Sequence, residues 1–358
     1  MRKETKTFAF LSIMLLAAPL LFLFVLSCGD DEKDTALRVG IVYDIAGKRD
    51  KSFNESAYEG IKRAEGELGI SVNEETTDGT DREELIRSLA ETSDLVIAIG
   101  FSFEDQIKKI AAEFSETSFA GVDIQQGENS PGNFASLLFN EAEGSFLVGA
   151  AAALTTETDK VGFIGGVCAT PYRIIERFEA GFIAGAKEIK PDITIKTEYL
   201  SQWNDQTGFD NTEKARMVAT RMFEDGADVV FHAAGASGPG LFKAAEEFDG
   251  KTHVWAIGVD SDQYRTAGKE EREHILTSML KRVDVAVYNI IEARKNGEFT
   301  GGEVKNDLSN GGVDYATSGG FVDKIKDLLE AYKTLIINNV IEVPDSPSNE
   351  GCAQPQTY

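Results

Sequence analysis

The chain has 358 residues, of which 42% are hydrophobic and 27% are charged, a composition typical of a folded globular protein with room for two domains. Its formal net charge of −24 argues against a nucleic-acid partner, because phosphate binding needs a surplus of Lys and Arg on one face. The three cysteines and three scattered histidines fit neither a zinc motif nor a disulfide scaffold, so we expect no metal site and no cofactor.

The N-terminal 27 residues have the pattern of an export signal. A basic start leads into an apolar run from Phe8 to Leu26, and Ser27 and Cys28 follow. A small residue before a cysteine resembles the lipobox of bacterial lipoproteins. We therefore expect residues 1–27 to be a signal peptide, Cys28 to be lipidated and residues 28–36 to form an acidic tether at a membrane. A plain transmembrane anchor is the alternative, and with either anchor the body lies outside the cytoplasm.

Short apolar runs then alternate with amphipathic stretches. The first block of predicted elements comprises strand Arg38–Tyr43, helix Asn54–Leu68, strand Asp94–Gly100, helix Glu104–Phe114, strand Ser118–Val122, strand Asn133–Phe139 and helix Glu143–Leu154. Apolar runs bounded by polar residues are typical of strands that are buried on both faces.

The same rhythm then starts again. The second block comprises strand Lys160–Gly165, helix Tyr172–Glu188, strand Ile193–Leu200, helix Asn211–Asp225, strand Val229–Ala234, helix Gly240–Phe248, strand His253–Val259, and helices Val283–Asn296 and Asp323–Asn338. Strands that alternate with helices indicate an α/β fold with parallel sheets, and two blocks indicate two such sheets. The Gly-rich segment Gly297–Asp307 is predicted to cross between them.

Ligands in open α/β sheets bind beyond the carboxyl ends of the strands, so we expect the site residues there. Asp44 follows the first predicted strand, and its loop leads to Ser52, Phe53 and Asn54. Ser52 or Asn54 can cap the helix. Phe53 is either a hydrophobic staple on the first helical turn or a stacking platform, and the pattern alone favours the staple.

Further polar residues follow later strands. Asp123 and Asp260 each come directly after an apolar strand, where an acid can cap the next helix or accept hydrogen bonds from a ligand. Lys281 can pair with such an acid. The loop from Gly235 to Gly240 lets a ligand approach backbone amides, although it is neither a P-loop nor a dinucleotide fingerprint.

Motifs for catalysis are missing from the sequence. It contains no Gly-x-Ser-x-Gly elbow and no suggestively spaced pair of His with Cys or Ser. With 60 acidic residues, pairs of carboxylates are too common to indicate a glycosidase. We therefore predict that the protein is not an enzyme.

Six motifs occur in an order that resembles a known family. They are Asp50–Asn54 with Tyr58–Gly60, Asn140–Gly149, Phe178–Phe182, Ala234–Gly240, Trp255–Gln263 and Leu276–Arg282. This series is similar to the basic membrane protein family, the substrate-binding lipoproteins of ABC transporters that include the purine nucleoside receptors of spirochaetes. The resemblance runs from about Arg38 to about Val343.

The resemblance implies the type I periplasmic-binding-protein fold, with two doubly wound parallel-sheet lobes joined by a multi-strand hinge. Residues 37–139 and about 261–303 are expected to form the first lobe. Residues 140–260 and about 304–343 are expected to form the second lobe, and residues 344–358 a flexible tail.

It also implies contacts to a purine base. Phe53 would stack on one face of the base and Phe178 on the other. Asp44, Asn54 and Asp123 would hydrogen-bond the base or nearby groups. Stacking on an aromatic ring is worth about 1–3 kcal/mol per base.

A second set of contacts would hold the rest of the ligand. Asp260 would bind the ribose hydroxyls with help from Lys281, and Gly235 would offer a backbone contact. Trp203 and Asp205 lie in a loop from which the family also contributes contacts; by sequence alone, Trp203 is equally well a surface aromatic.

The resemblance therefore implies capture of a purine nucleoside, such as guanosine, inosine or adenosine, for delivery to ABC permease subunits. We expect a monomer held at a bacterial membrane by its lipid. The same fold binding a different small solute, a sugar or a flavin, is one alternative. A surface lipoprotein without a transport role is another.

Overall fold

Two six-stranded sheets with helices on their faces make up the described part of the chain, as seen in a computed structural model. The structure describes residues 36–347, except 169–172, 204, 249 and 251. The predicted signal peptide and Cys28 lie outside this range, as does most of the predicted tail. In the described ranges, no helix has both the length and the apolar character needed to cross a membrane.

The strands follow the chain in twelve segments. They are β1 Arg38–Tyr43, β2 Ser71–Thr76, β3 Leu95–Ile99, β4 Ser118–Val122, β5 Phe134–Phe139, β6 Lys160–Cys168, β7 Thr194–Gln202, β8 Val229–Ala233, β9 Trp255–Asp260, β10 Ile275–Lys281, β11 Gly302–Asn306 and β12 Val313–Tyr315. The α-helices are α1 Phe53–Leu68, α2 Arg82–Thr92, α3 Glu104–Glu113, α4 Glu141–Thr155, α5 Ile174–Ile189, α6 Thr212–Glu224, α7 Pro239–Glu247, α8 Gln263–Thr266, α9 Val283–Lys295 and α10 Lys326–Ile337.

The strand order repeats between the sheets. The first sheet runs β11-β5-β4-β3-β1-β2 and the second runs β12-β10-β9-β8-β6-β7. All neighbours are parallel except β10 and β12, which pair antiparallel. β4 and β9 therefore occupy equivalent places in the two sheets. This arrangement confirms the predicted α/β fold class.

Burial explains which strands the apolar pattern predicted. All five residues of β3 and of β4 are buried, because parallel strands with helices on both faces meet no water. β2 lies at the edge of its sheet and is largely exposed, so its sequence, SVNEET, carries no apolar run. The apolar pattern therefore did not predict β2, and the following helix α2 was not predicted either.

Three chain segments connect the two sheets. They lie between β5 and α4, between β10 and α9, and between β11 and β12. The segments are joined to one another by backbone hydrogen bonds, Asn140 to Asn306 at 2.9 Å and Arg282 to Gly312 at 2.8 Å. The lobes are thus connected by a hinge of several hydrogen-bonded segments, as expected for this fold.

The predicted lobe boundaries near residues 261 and 303 need correction. Ile275–Lys281 was assigned to the first lobe, but it forms β10, which pairs with β9 in the second sheet. Gly302–Asn306 forms β11 and extends the first sheet beyond residue 303. An almost fully buried strand such as β10 fits the interior of either sheet, so its apolar pattern could not assign the lobe; its pairing with β9 does.

Helices α4 and α5 pack backbone to backbone. Glycines allow this approach: a Cβ at Gly149 would lie 2.2 Å from the carbonyl oxygen of Phe182, and one at Gly185 would lie 1.9 Å from that of Phe146. The contact fixes the position of α5, which carries Phe178. Cys168, at the end of β6, is disulfide-bonded, and the other two cysteines lie outside the described residues.

Candidate functional site

A cavity that is partly open to solvent lies at the carboxyl ends of strands from both sheets, and the space between its walls, including the open mouth, is about 730 Å³. Eight of the ten residues predicted for the site line this cavity, namely Asp44, Phe53, Asn54, Asp123, Phe178, Gly235, Asp260 and Lys281. The fold thus brings together residues that are more than 200 positions apart in the chain.

Asp123 and Asp260 occupy equivalent positions at the ends of β4 and β9. Both have left-handed backbone conformations, with φ of 61° and 66°. Non-glycine residues rarely adopt this conformation, and such strain collects at functional sites. Both side chains are buried, so the two sheets place a carboxyl group each in one wall of the cavity.

Lys281, at the end of β10, is paired with Asp123 of the first sheet and with Glu141 at the start of α4. Its Nζ lies 2.6 Å from Asp123 Oδ2 and 2.9 Å from Glu141 Oε1, and the residue is only 1% exposed. Burial by itself would lower the pKa of Lys281, but the two carboxylates outweigh it and raise that pKa. Burial also raises the pKa of Asp123, against the attraction of Lys281.

The same ammonium group lies over aromatic rings of the cavity. Its Nζ is 5.2 Å from the ring centroid of Phe53 and 5.6 Å from that of Phe178. Both distances are within the range of a cation–π interaction. Lys281 therefore helps to hold the two rings that were predicted to contact a base.

No cation among the described residues is in direct contact with Asp260. Its Oδ2 accepts a hydrogen bond of 2.5 Å from Ser52 Oγ, which belongs to the other lobe. Burial raises the pKa of Asp260 to about 7, with only partial opposition from the more distant charge of Lys281. A buried carboxylate without a cation is stabilised by hydrogen-bond donors on a ligand. The two hydroxyl groups of a sugar diol are such donors.

Asp50, not Ser52 or Asn54, caps helix α1. Its carboxylate accepts hydrogen bonds of 2.9 Å from the amides of Ser52, Asn54 and Glu55. The predicted cap by Ser52 or Asn54 is therefore wrong, because neither side chain bonds the first turn and an acid two residues earlier fills that place.

The cap also orients Asn54. Its Nδ2 donates to Asp50 at 3.0 Å, while its Oδ1 is buried without a hydrogen-bond partner among the described residues. Since Asn54 lines the cavity, this oxygen is an acceptor open to a donor on a ligand. Asp44 lies nearby, where its Oδ2 accepts a hydrogen bond of 2.6 Å from Ser102 Oγ.

Trp203 and Asp205 are not among the residues that line the cavity, so the structure does not bring them together with the other eight. Trp203 is 41% exposed, and its ring lies 5.6 Å from that of Phe101. Asp205 caps the short helix Gln206–Phe209 by accepting hydrogen bonds from Thr207.

Several apolar lining residues were not predicted. Phe101 follows β3 directly and Phe209 belongs to the second lobe, and their rings lie 6.4 Å apart across the cleft. Ile174 and Ile175 begin α5. Phe101 could have been found from its place after a predicted strand, whereas the short helix that carries Phe209 has no apolar periodicity.

Comparison with known proteins gives a match over most of the chain. A family model described as ABC transporter substrate-binding protein PnrA-like matches residues 38–347. A protein of Listeria monocytogenes named CD4+ T-cell-stimulating antigen is 33% identical, over 96% of this chain and 100% of that protein. The ABC transporter nucleoside-binding protein BmpA of Lactococcus lactis is 33% identical, over 87% and 90%.

A solved structure has the same arrangement of sheets. The solute-binding protein of an ABC transporter system from Aeropyrum pernix superposes with a TM-score of 0.74 at 25% identity. The superposition covers 88% of this chain and 94% of that protein.

Proposed function

This chain belongs to the family of PnrA-like ABC transporter substrate-binding proteins, and from that premise we propose that it captures a purine nucleoside between its two lobes for import. Members of this family bind substrates and do not catalyse reactions on them. Purine nucleosides such as guanosine, inosine and adenosine combine a flat base with a hydroxyl-bearing sugar, and the proposal assigns one part of the cavity to each.

The observation that carries the proposal is the combination of aromatic rings and acceptors in one cavity. Phe53, Phe178, Phe101 and Phe209 supply ring surfaces from both lobes. The polar lining is dominated by acceptors, since the ammonium group of Lys281 is already paired with two carboxylates. A ligand that fits this lining has apolar faces and several hydrogen-bond donors, as a purine nucleoside does.

We assign the base to Phe53 and Phe178, with Asn54 Oδ1 and the carboxylates of Asp44 and Asp123 as acceptors for its N–H groups. Asp260 accepts hydrogen bonds from the ribose hydroxyls. The left-handed backbone of Gly235, with a φ of 52°, lets a ligand approach closely at the start of a helical turn. The name of the Lactococcus lactis relative agrees with a nucleoside as ligand.

The proposal includes an anchor and a partner. Substrate-binding proteins of ABC importers act outside the cytoplasm. The apolar run that ends before Cys28 supports export and lipidation at this cysteine, with residues 28–36 as a tether. The loaded protein would then deliver its ligand to permease subunits of an ABC transporter.

Isothermal titration calorimetry tests the ligand. The chain from Gly29 onward is unfolded and refolded to remove bound solutes, and it is titrated with guanosine, inosine, adenosine, cytidine, ribose and riboflavin. We expect submicromolar binding of purine nucleosides and no heat from ribose. A well-folded sample that binds riboflavin or ribose but no purine nucleoside would contradict the proposal.

A further inference from the structure

The carbonyl group of Lys51, in the first lobe, is bound by the second lobe. Gln263 Nε2 donates a hydrogen bond of 2.9 Å to this oxygen, and Ser261 Oγ donates one of 3.3 Å. Ser52, the next residue, donates to Asp260. The segment from Asp260 to Gln263 therefore makes three hydrogen bonds across the cleft to two adjacent residues.

The carboxamide of Gln263 is held in one orientation. The residue is fully buried, and its Oε1 accepts a hydrogen bond of 2.8 Å from the amide of Val259 and lies 3.0 Å from His232 Nε2. Burial lowers the pKa of His232 to about 4, so the ring is neutral at physiological pH. Because Oε1 can only accept, we assign the ring proton to Nε2. With Oε1 committed to donors, the NH₂ group must point at Lys51.

Lys51 begins the segment that leads to the ligand cavity. Its φ of 57° is in the left-handed region, which a lysine adopts only when its surroundings hold it there. Phe53 and Asn54, which line the cavity, follow within three residues. A contact that fixes the backbone at Lys51 also fixes the approach of these two side chains.

An internal sequence repeat contains a second glutamine that is equivalent to Gln263. Residues 121–126 and 258–263 both read Gly-Val-Asp-x-x-Gln, at the equivalent strands β4 and β9. In the first copy, Gln126 Oε1 accepts a hydrogen bond of 3.1 Å from Ser136, within its own lobe. Among the described residues, only the glutamine of the second copy, Gln263, bonds to the opposite lobe.

We propose that Gln263 is a positioning residue that holds the lobes closed by binding the carbonyl group of Lys51 and so fixes Phe53 and Asn54 against the ligand. This inference deepens the proposed function and rests on it, since the ligand is taken to lie between the lobes. Closure sets how long a trapped ligand is retained, so loss of the contact acts on the dissociation rate.

The test replaces the amide without changing the size of the side chain. In Gln263→Glu, studied from pH 8 to pH 10 so that a carboxyl group whose pKa is raised by burial becomes ionised, the side chain keeps the hydrogen bond from Val259 but turns an oxygen toward the carbonyl group of Lys51. We expect tritiated inosine to dissociate about tenfold faster from this variant than from the wild type, because one hydrogen bond between the lobes is lost. The association rate should be nearly unchanged. The matched control is Gln126→Glu, which should dissociate inosine at the wild-type rate.

Two further measurements make the result decisive. If Gln263→Glu lowers the melting temperature, Ser261→Ala removes the second donor to Lys51 from a partly exposed position and should still speed dissociation. An unchanged dissociation rate in both variants would overturn the inference. Small-angle scattering of the ligand-free proteins is expected to give a larger radius of gyration for Gln263→Glu than for the wild type and Gln126→Glu.

Scattering also separates this inference from the proposed function. If the wild-type protein does not retain inosine, the nucleoside assignment fails, and the closing contact is then judged by the radius of gyration alone. Equal radii for the wild type and Gln263→Glu in that case would refute the contact as a determinant of closure.

Discussion

Asp123 and Asp260 show how neighbours decide the chemistry of equivalent residues. They share a strand position, a backbone conformation and nearly complete burial. Of the two aspartates, Asp123 is the one that Lys281 contacts, at 2.6 Å, whereas Asp260 has a serine hydroxyl as its partner. The ionised form of Asp260 is consequently the less well compensated of the two.

This difference predicts a pH-dependent effect of Asp260→Asn on stability. Burial raises the pKa of Asp260 in the folded state to about 7 from an ordinary value of 3.8. A raised folded-state pKa contributes stability that is fully present below about pH 4 and is lost as the pH rises through about 7. The asparagine of the variant does not titrate, so the variant does not lose stability in this way. Its melting temperature relative to that of the wild type should therefore increase between pH 4 and pH 8.

Calorimetry of the ligand-free wild type and Asp260→Asn across this pH range measures the difference. A difference that stays constant from pH 4 to pH 8 would show that Asp260 does not titrate there.

The same variant should bind inosine at least about tenfold more weakly, because an amide replaces one acceptor for the diol with a donor.

Phe53→Ala tests the stacking assignment. We expect the affinity for purine nucleosides to fall by about tenfold or more, since a stacked ring contributes about 1–3 kcal/mol per base. Phe248→Ala is the control, because this ring packs on Phe223 in the second lobe, away from the cavity. Equal loss of affinity in both variants, measured by calorimetric titration, would point to damage to the fold.

At the scale of elements, glycine positions show where helices touch. Gly185 faces the backbone of α4 so closely that no side chain fits, whereas a Cβ at Gly66, in α1, would meet nothing within 4 Å. The same substitution should therefore have opposite effects at the two positions.

Gly185→Ala is expected to destabilise the protein by about 1–3 kcal/mol, because α5 must move away from α4. Gly66→Ala should stabilise it by up to about 1 kcal/mol, since alanine favours the helix more than glycine does. Urea unfolding of the two variants beside the wild type measures both changes. A similar change in both would mean that the α4–α5 packing does not limit stability.

At the scale of the whole molecule, acidic charge selects against anionic ligands. The chain carries a net charge of −24, and four of the residues that line the cavity are aspartates. Lys281 is the cation of the described lining, and its charge is already shared between two carboxylates. A phosphate group in this cavity would meet repulsion without a paired cation.

We therefore expect inosine 5′-monophosphate to bind at least about 100-fold more weakly than inosine, which corresponds to roughly 2.7 kcal/mol. Competition of the nucleotide against bound inosine measures this ratio. Binding of the two with comparable affinity would mean that a cation reaches the ligand from outside the described lining.

The sequence by itself determined the alternation of strands and helices, the α/β class and the candidate positions at strand ends. Burial on both faces makes parallel strands apolar throughout, and this local signal needs no knowledge of distant residues. It failed for β2, which lies at an exposed edge, and it did not place β10 in the second sheet.

Only the tertiary structure decided how the candidate residues pair. Lys281 contacts Asp123, 158 positions away, and Gln263 contacts Lys51, 212 positions away. Hydrogen bonds act over about 3 Å, so each partner depends on how two sheets and a hinge are placed in space. That placement results from packing of the whole fold, which no short segment of the sequence encodes.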